Sequence, residues 1–300
     1  MKKLISLLDL TSEELIYVLD RADMLEKSWK TNAMPQVLKD KQVGMWFYGQ
    51  GFRNRVAFEI GAKAMGASVS YIPGDLGVHE PIEDIGHYLD KWFSILIIRS
   101  KSHKDLLKLS ETTDISIINA RTDFSHPCEI IGDLQFIRKH RGGFDELSLV
   151  FVGQVDNVIM SWFEAAVRLP ISITQVAPIG YELETRTLKE FNKNAVGEVN
   201  VSHELEPFLD KADILYTDCW PRATDHEKAK AIRETFLPYQ ITAKHLSKLH
   251  GKALFLPCPP VTRGQEVSHD AMLSGICKNH QAKEYLLHGQ NALLEYIVTA

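Results

Sequence analysis

Short apolar runs alternate with segments of helical periodicity along most of the chain, and this alternation restricts the fold more than any other feature. Each apolar run is short and rich in Val, Ile and Phe, which favours a strand over a helix. Strands separated by helices pair in parallel, because each helix returns the chain to the starting edge of the sheet. The predicted strands cover residues 42–48, 68–72, 94–98, 114–120, 148–152, 172–176, 198–201, 214–217 and 253–256. The sequence therefore predicts an α/β fold with two doubly wound parallel sheets.

The chain length of 300 residues fits about two domains. The predicted helices cover residues 4–30, 53–65, 82–91, 103–110, 134–140, 158–169, 188–194, 204–211 and 281–298. Arg141, Gly142 and Gly143 form a helix-stop and turn signal, which we interpret as the boundary. The predicted first domain comprises residues 1–141 and a C-terminal helix at 281–300 that returns to it. The predicted second domain comprises residues 142–280.

Composition argues against several classes of protein. The formal net charge is -5, with charges interspersed, so no basic surface for a nucleic-acid backbone is predicted. The cysteines, Cys128, Cys219, Cys258 and Cys277, lie far apart without a C-x-x-C pair, which argues against structural zinc. No signal-peptide pattern and no apolar run of about 20 residues is present. We expect a cytoplasmic protein with no metal, no nucleic acid and no membrane partner.

The predicted strand 148–152 ends at Gly153, in the position where many α/β proteins bind a nucleotide. The motif G-x-G-x-x-G is absent, because Val155, Asp156 and Asn157 stand where further glycines are needed. No Walker phosphate loop is present either. The sequence therefore predicts no nicotinamide cofactor.

The tetrapeptide His126-Pro127-Cys128-Glu129 follows a predicted strand and precedes a helical run. Alone, it indicates only a histidine in a proline turn. However, Arg53 opens an earlier predicted helix, and Arg99 follows the strand 94–98. Because the carboxyl ends of parallel strands share one edge, where ligands bind, Arg53, Arg99 and His126 are predicted to surround one pocket.

Further motifs occur in order along the chain. They are the helical segment 7–15, the segment 53–59, the strand 95–99 ending in an arginine, the tetrapeptide 126–129, the segment 216–220, and Cys258, Pro260, Arg263, Gly264 and Glu266. Together they resemble the aspartate/ornithine carbamoyltransferase family over almost the whole chain, the ornithine branch more than the aspartate branch. The family has S-T-R-T-R-x-S-F-E at the second motif and H-P-C-Q at the tetrapeptide. It has Y-T-D-x-W at 216–220, and H-C-L-P followed by R-G-E-E at the last motif.

The resemblance implies transfer of a carbamoyl group from carbamoyl phosphate to an amine acceptor, with no metal and no organic cofactor. It implies His126, Arg53, Arg263 and Cys258 as catalytic residues. The donor and its phosphate would contact Gly51, Phe52, Arg53, Asn54, Arg99, His126, Glu129 and Arg263, and the acceptor would contact Asn157 and Asp218. It also implies a homotrimer, in which His79 of the segment 75–80 contacts a neighbouring subunit; an ordinary surface loop is the alternative.

The departures from the family pattern shape the expected function. Gly51 and Phe52 remove two hydroxyl groups of S-T-R-T, and Asn54 replaces a third. Glu129 replaces the glutamine of H-P-C-Q, and Pro221 and the residues after it replace the ornithine branch's S-M-G pattern. We therefore expect an amino-acid-like acceptor other than ornithine. Arg222 is a candidate for binding an acceptor carboxylate, and a solvated loop arginine is the alternative. Two alternatives remain: a non-catalytic or regulatory homologue that binds a small anion, and a transferase that uses another donor.

Overall fold

The computed structural model describes residues 2–299. The strands are β1 (Lys3–Leu4), β2 (Gln42–Phe47), β3 (Ser68–Pro73), β4 (Ile95–Arg99), β5 (Ser116–Arg121), β6 (Leu147–Val152), β7 (Ile171–Val176), β8 (Glu198–Ser202), β9 (Ile214–Thr217) and β10 (Leu254–Pro257). The helices are α1 (Ser12–Lys30), α2 (Phe52–Ala64), α3 (Ile82–Trp92), α4 (His103–Thr112), α5 (Pro127–Arg141), α6 (Asn157–Arg168), α7 (Thr185–Asn194), α8 (His226–Phe236), α9 (Ala243–Leu246), α10 (His269–Met272) and α11 (Asn279–Thr299).

The chain forms two compact units. The first contains the residues up to Gly142, Asp156–Ser161 and the residues from Lys283 onward; the second contains Gly143–Val155 and Trp162–Ala282. The predicted α/β class, with two parallel sheets and a C-terminal helix belonging to the first unit, is confirmed. Within residues 2–299, every helix is too short or too polar to cross a lipid bilayer.

The first unit is built on a five-stranded sheet with the order β1-β5-β4-β2-β3, in which neighbouring strands are parallel. Helices α3 and α4 pack on it through apolar side chains that lose contact with water, the main driving force for this packing. That cluster includes Ile85, Leu89, Leu96, Ile98, Leu106, Leu109 and Ile117. Helices α5 and α11 approach closely at Gly132, where a Cβ atom would lie 2.9 Å from the Leu286 Cα.

The second unit has a parallel sheet with the order β10-β9-β6-β7-β8. Its central strands are buried on both faces, as expected for parallel strands, and their side chains are mostly apolar. The core of this unit includes Val150, Val152, Val176, Leu215, Ile241 and Phe255. Asp218 follows β9 and Cys258 follows β10, so both lie at the carboxyl edge of this sheet.

Several predicted elements were wrong in extent or type. The predicted helix 4–30 contains a short strand and a 3₁₀ turn at Leu7–Asp9, because Ser6 and Thr11 each form a capping box that starts a new helix. The predicted helix 204–211 is only a 3₁₀ turn at Glu206–Phe208. Helix α8 was not predicted, since Phe236 is its only buried residue and many of its other side chains are charged.

The carboxyl ends of β2, β4 and β5 meet at one edge of the first sheet. Helix α2 starts shortly after β2, and α5 starts shortly after β5. This edge therefore carries two helix N-termini, whose free N–H groups and dipoles favour an anion.

Candidate active site

Arginine side chains gather at this edge of the first unit. Arg99 ends β4 and Arg121 ends β5, and their Cα atoms are paired across the sheet. Arg53 lies in the first turn of α2. Burial lowers the pKa of Arg99 to about 10, and the positive charges of Arg121 and Arg53 act in the same direction. The edge therefore has a strong positive potential.

Gly51 forms the N-cap of α2 in a left-handed conformation, with φ of +44°. A Cβ atom at this position would lie 2.8 Å from the Cδ of Arg99. Arg99 is thus packed directly against the loop that precedes α2. A serine here, as in the family motif, would require both a strained backbone and a different Arg99 position.

His126 is the N-cap residue of α5 and is buried. Its backbone N–H donates to the Ser161 Oγ at 2.8 Å, and its Nε2 lies 3.4 Å from the Asn54 Nδ2. Burial lowers the pKa of His126 to about 3, although Glu129 opposes this shift. The ring is therefore neutral at physiological pH. Its Nδ1 is buried and has no hydrogen-bond partner among the described residues.

The side chain of Asn54 connects His126 to helix α11. Its Oδ1 accepts a hydrogen bond of 2.8 Å from Gln290, and its Nδ2 faces the imidazole. If Asn54 donates to the His126 Nε2, the ring proton resides on Nδ1, because neutral imidazole has one donor and one acceptor nitrogen. The orphan Nδ1–H is then free to donate to a bound carbonyl oxygen.

Glu129 is buried but compensated by a lysine. Lys283 Nζ lies 2.7 Å from the Glu129 Oε1 and 2.7 Å from the Asp133 Oδ1. Burial alone would raise the pKa of Glu129, but Lys283 and the other nearby positive charges hold it below its ordinary value. The substitution of the family's glutamine by an ionised carboxylate is therefore accompanied by a cation that offsets its charge.

The remaining predicted residues of the first unit have different surroundings. Asn157 begins α6, and its side-chain amide donates to the backbone oxygen of Thr122. Phe52 is 61% exposed and carries no polar group toward the edge. His79 lies in an exposed loop between β3 and α3. The roles of all the predicted site residues stay predictions.

In the second unit, Trp220 and Arg222 line a cavity of about 300 Å³ with Arg233, Thr262 and Gln265. Asp218 precedes this segment and accepts a 2.7 Å hydrogen bond from the N–H of Cys219. Cys258 is buried, and its N–H donates to the Thr217 oxygen at 2.7 Å. Arg263 lies in the loop after β10 and is paired with Val267 in a short bridge.

Glu266 is a buried carboxyl group of this second unit that the sequence placed in a motif without a role. Its Oε1 accepts from the Thr262 N–H, and its Oε2 has no partner among the described residues. Burial raises the pKa of Glu266, with a further contribution from Asp218 and an opposing one from Arg222. The pKa of Glu266 therefore depends on the charges of Asp218 and Arg222, the two predicted acceptor-binding residues of its unit.

A possible metal-ligand set lies away from these residues in the first unit. Ligand atoms of Glu26, Glu284 and His288 lie within 4.8 Å of one another. However, Lys30 Nζ lies 2.6 Å from Glu26 and 3.1 Å from Glu284. Lys139 also pairs with Glu26, so two ammonium groups already neutralise the two carboxylates, and the set is a poor match for a cation.

Sequence reasoning missed Arg121 and Lys283. Arg121 had a usable signal, because it ends a strand next to the strand that ends at Arg99. Lys283 had none, since its proximity to Glu129 depends on how α11 packs against α5.

Comparison with known proteins agrees with this geometry. Residues 2–139 match the carbamoyl-P binding domain of aspartate/ornithine carbamoyltransferases, and residues 145–297 match the Asp/Orn binding domain. The ornithine carbamoyltransferase of Methanosphaera stadtmanae is 33% identical over 99% of this chain and 99% of that protein. That of Acinetobacter baylyi is 31% identical over 99% and 97%, respectively. The structure of ornithine carbamoyltransferase from Pyrococcus furiosus superposes with a TM-score of 0.93 at 28% identity, covering 98% of this chain and 96% of that one. The chain therefore belongs to the aspartate/ornithine carbamoyltransferase family.

Proposed function

We propose that this protein transfers the carbamoyl group of carbamoyl phosphate to the amine of an amino-acid-like acceptor other than ornithine. The observation that carries the donor half of the proposal is the cationic sheet edge, where Arg99 ends β4, Arg53 lies in the first turn of α2 and a neutral His126 caps α5. A phosphate group is the anion that such an arrangement recognises best.

Each group of the donor has a matching residue in the first unit. Arg53 and Arg99 bind the phosphate oxygens, and the His126 Nδ1–H donates to the carbonyl oxygen. Glu129 accepts from the donor's NH₂ group, since an ionised carboxylate accepts but does not donate. Lys283 keeps Glu129 ionised, so the altered residue retains the acceptor function that this role requires.

The reaction then proceeds by acyl transfer. The acceptor's amine attacks the carbonyl carbon, a nitrogen–carbon bond forms, and negative charge develops on the carbonyl oxygen. His126 stabilises that charge as a neutral hydrogen-bond donor, a type of contact typically worth about 10²–10³ in kcat. The carbon–oxygen bond to phosphate breaks, and the proton lost by the amine leaves with the phosphate.

The acceptor half of the proposal rests on the second unit. Asp218 and Trp220 are retained from the family motif, but Pro221 and Arg222 replace the residues that follow in the ornithine branch. The cavity beside Trp220 carries two guanidinium groups, those of Arg222 and Arg233. Guanidinium groups match carboxylates with paired hydrogen bonds, which supports an acceptor that carries an additional carboxylate.

The direct test is turnover with carbamoyl phosphate and a panel of amines that includes ornithine, lysine, simple diamines and acidic amino acids. Phosphate release and ureido-product formation by mass spectrometry are measured together. We expect an acidic amino acid to react faster than ornithine. A preference for ornithine would contradict the acceptor assignment, and no product with any amine would contradict transferase activity.

The Arg222→Ala variant tests the acceptor pocket. We expect it to raise KM for the acidic acceptor about tenfold or more, because at least one charge-assisted hydrogen bond is lost. KM for carbamoyl phosphate should stay unchanged. Arg186→Ala, on the exposed face of α7, is the matched control. Unchanged KM values for every acidic acceptor would exclude the pocket role.

The homotrimer predicted from the family resemblance is part of the proposal. The apolar side chains of Phe52, Val56 and Ile60 are spaced one helical turn apart on α2 and are 61%, 49% and 41% exposed. A continuous exposed apolar stripe of this kind favours protein association. The molar masses of Val56→Asp and wild type, measured by light scattering, test this surface. A trimer mass that the substitution leaves unchanged would exclude this stripe from the subunit interface.

A further inference from the structure

We propose that Arg121 binds the donor's phosphate group and takes the place of the two hydroxyl side chains that this chain lacks at Gly51 and Phe52. This inference rests on the proposed function, because it names a further contact of the same donor site. It concerns a residue outside the motifs shared with the family.

The position of Arg121 follows from the register of the sheet. Ile98 of β4 is opposite Asn119 of β5, but the register then shifts, so that Arg99 is opposite Arg121 rather than Ala120. The N–H of Ser100 donates to the Arg121 carbonyl at 3.0 Å, which fixes the strand ends in this arrangement. Neighbouring strands lie about 4.8 Å apart, so the two arginine side chains leave the backbone side by side.

This pair of like charges is not neutralised by the protein. Among residues 2–299, neither Arg99 nor Arg121 forms an ion pair with a carboxylate, and the buried Arg99 Nε has no hydrogen-bond partner. The nearby Glu129 is bound by Lys283. Like charges directly opposite each other in a sheet are destabilising, and an anion bound between the two guanidinium groups would relieve that repulsion.

Other arginines of the same unit show the contrast. Arg21 binds Glu295 at 2.7 Å, and Arg138 binds Asp20 at 2.7 Å as well as Asp23. These side chains have structural partners, whereas the two at the sheet edge do not. The guanidinium groups of the edge pair are therefore available to an anionic ligand.

The loop before α2 shows why Arg121 is needed. The Arg99 side chain lies against Gly51, where a Cβ atom would be 2.8 Å from its Cδ, and Phe52 has no polar atom. The hydroxyl contacts to phosphate are therefore lost in this chain. A third guanidinium group supplies several donors in a planar fork, and this fork can form paired hydrogen bonds with the oxygens of a phosphate group.

The test compares Arg121→Gln with wild type, with Arg186→Gln as the control at an exposed position of α7. Dissociation constants of inorganic phosphate and carbamoyl phosphate are measured by calorimetry, and KM and kcat are measured with the best acceptor. We expect Arg121→Gln to raise the dissociation constants of both ligands about tenfold or more, because a charge-assisted hydrogen bond is lost. Arg121→Lys, which keeps the charge but not the fork, should have an intermediate effect. Arg186→Gln should bind as wild type does.

The outcomes separate this inference from the proposed function. If Arg121→Gln binds both ligands as tightly as wild type, Arg121 is not a phosphate ligand, even when wild type is an active transferase. If wild type carbamoylates no amine but binds phosphate, and Arg121→Gln weakens that binding, the inference stands and the proposed function fails. If wild type binds neither ligand at millimolar concentration, both fail. Should Arg121→Gln not fold, the Arg121→Lys affinities decide, and affinities equal to wild type would overturn the inference.

Discussion

The replacement of serine by glycine at position 51 is linked to the position of a single neighbouring side chain. Gly51 adopts φ of +44°, and its missing Cβ leaves the space that the Arg99 Cδ and Nε occupy. The departure from the family motif is therefore a change of packing as well as the loss of a hydroxyl group. Restoring a side chain at this position should disturb Arg99 rather than repair the motif.

We expect Gly51→Ala to destabilise the protein and to raise KM for carbamoyl phosphate. A left-handed backbone costs an alanine about 1–2 kcal/mol, and a clash with packed atoms typically adds about 1–3 kcal/mol or displaces the flexible Arg99 side chain. Gly180→Ala is the control, because Gly180 has φ of +88° but no atom within 4 Å of an added Cβ. Urea unfolding and donor kinetics of both variants measure the difference. Equal effects of the two substitutions would show that the contact with Arg99 is unimportant.

Some of these side chains were predictable and others were not. Arg53, Arg99 and His126 follow strand ends or open helices, so the parallel-sheet topology alone places them at one edge. The neutral state of His126 was not predictable, because it depends on complete burial. Lys283 was not predictable either, since an ion pair between distant helices leaves no periodic pattern in the sequence.

Helix α11 is the structural partner of α5 near His126. Lys283, near the start of α11, forms ion pairs with Glu129 and Asp133, which are one turn apart on α5. Further along α11, the side-chain amide of Gln290 donates to the Asn54 Oδ1. The close approach at Gly132 allows these polar contacts to form between tightly packed helices. The resulting ion-pair network is buried, so the removal of one member leaves a charge without compensation.

We expect Lys283→Met to destabilise the protein by about 3–5 kcal/mol, the usual cost of removing one partner of a buried ion pair. Glu129→Gln should cost less, because Lys283 keeps its contact with Asp133. The double variant should be more stable than Lys283→Met alone, since it removes one of the two buried carboxylates that lose their contact with Lys283. A double-mutant cycle by urea unfolding measures this coupling, and strictly additive effects would contradict a direct Glu129–Lys283 interaction.

Helices and strands were predictable where burial imposes a pattern. The inner strands of both sheets are largely buried and apolar, and each predicted strand is present with small changes at its ends. Helix α8 was missed because Phe236 is the only one of its eleven residues that is buried, so burial imposes little pattern on its sequence. At 204–211, Leu205 and Leu209 have helical spacing, but this spacing fits the single 3₁₀ turn that actually forms.

The charges buried in the folded protein make its stability depend on pH. His126 has a pKa of 6.5 when unfolded but about 3 when folded, so the unfolded chain binds more protons between these values. Stability therefore falls as pH drops below about 6.5. Burial lowers the pKa of His103, His245 and His288 in the same direction. Glu129, with a lowered pKa, adds a further loss below its ordinary value of 4.5, whereas Glu266, with a raised pKa, opposes the trend.

The contribution of His126 is testable by a substitution that removes the titrating group. Between pH 7.5 and pH 5.5, a histidine that stays neutral in the native state and titrates at 6.5 when unfolded costs about 1.4 kcal/mol of stability. We expect His126→Asn to be less stable than wild type at pH 7.5, because a buried contact is lost, but to lose about 1.4 kcal/mol less on acidification. The same replacement at His226, which is exposed on α8, is the control. Urea unfolding at the two pH values gives both differences. A His126→Asn protein whose stability falls with acid as steeply as that of wild type would show that native His126 takes up its proton over the same pH range as the unfolded chain, and would therefore contradict a ring that burial keeps neutral.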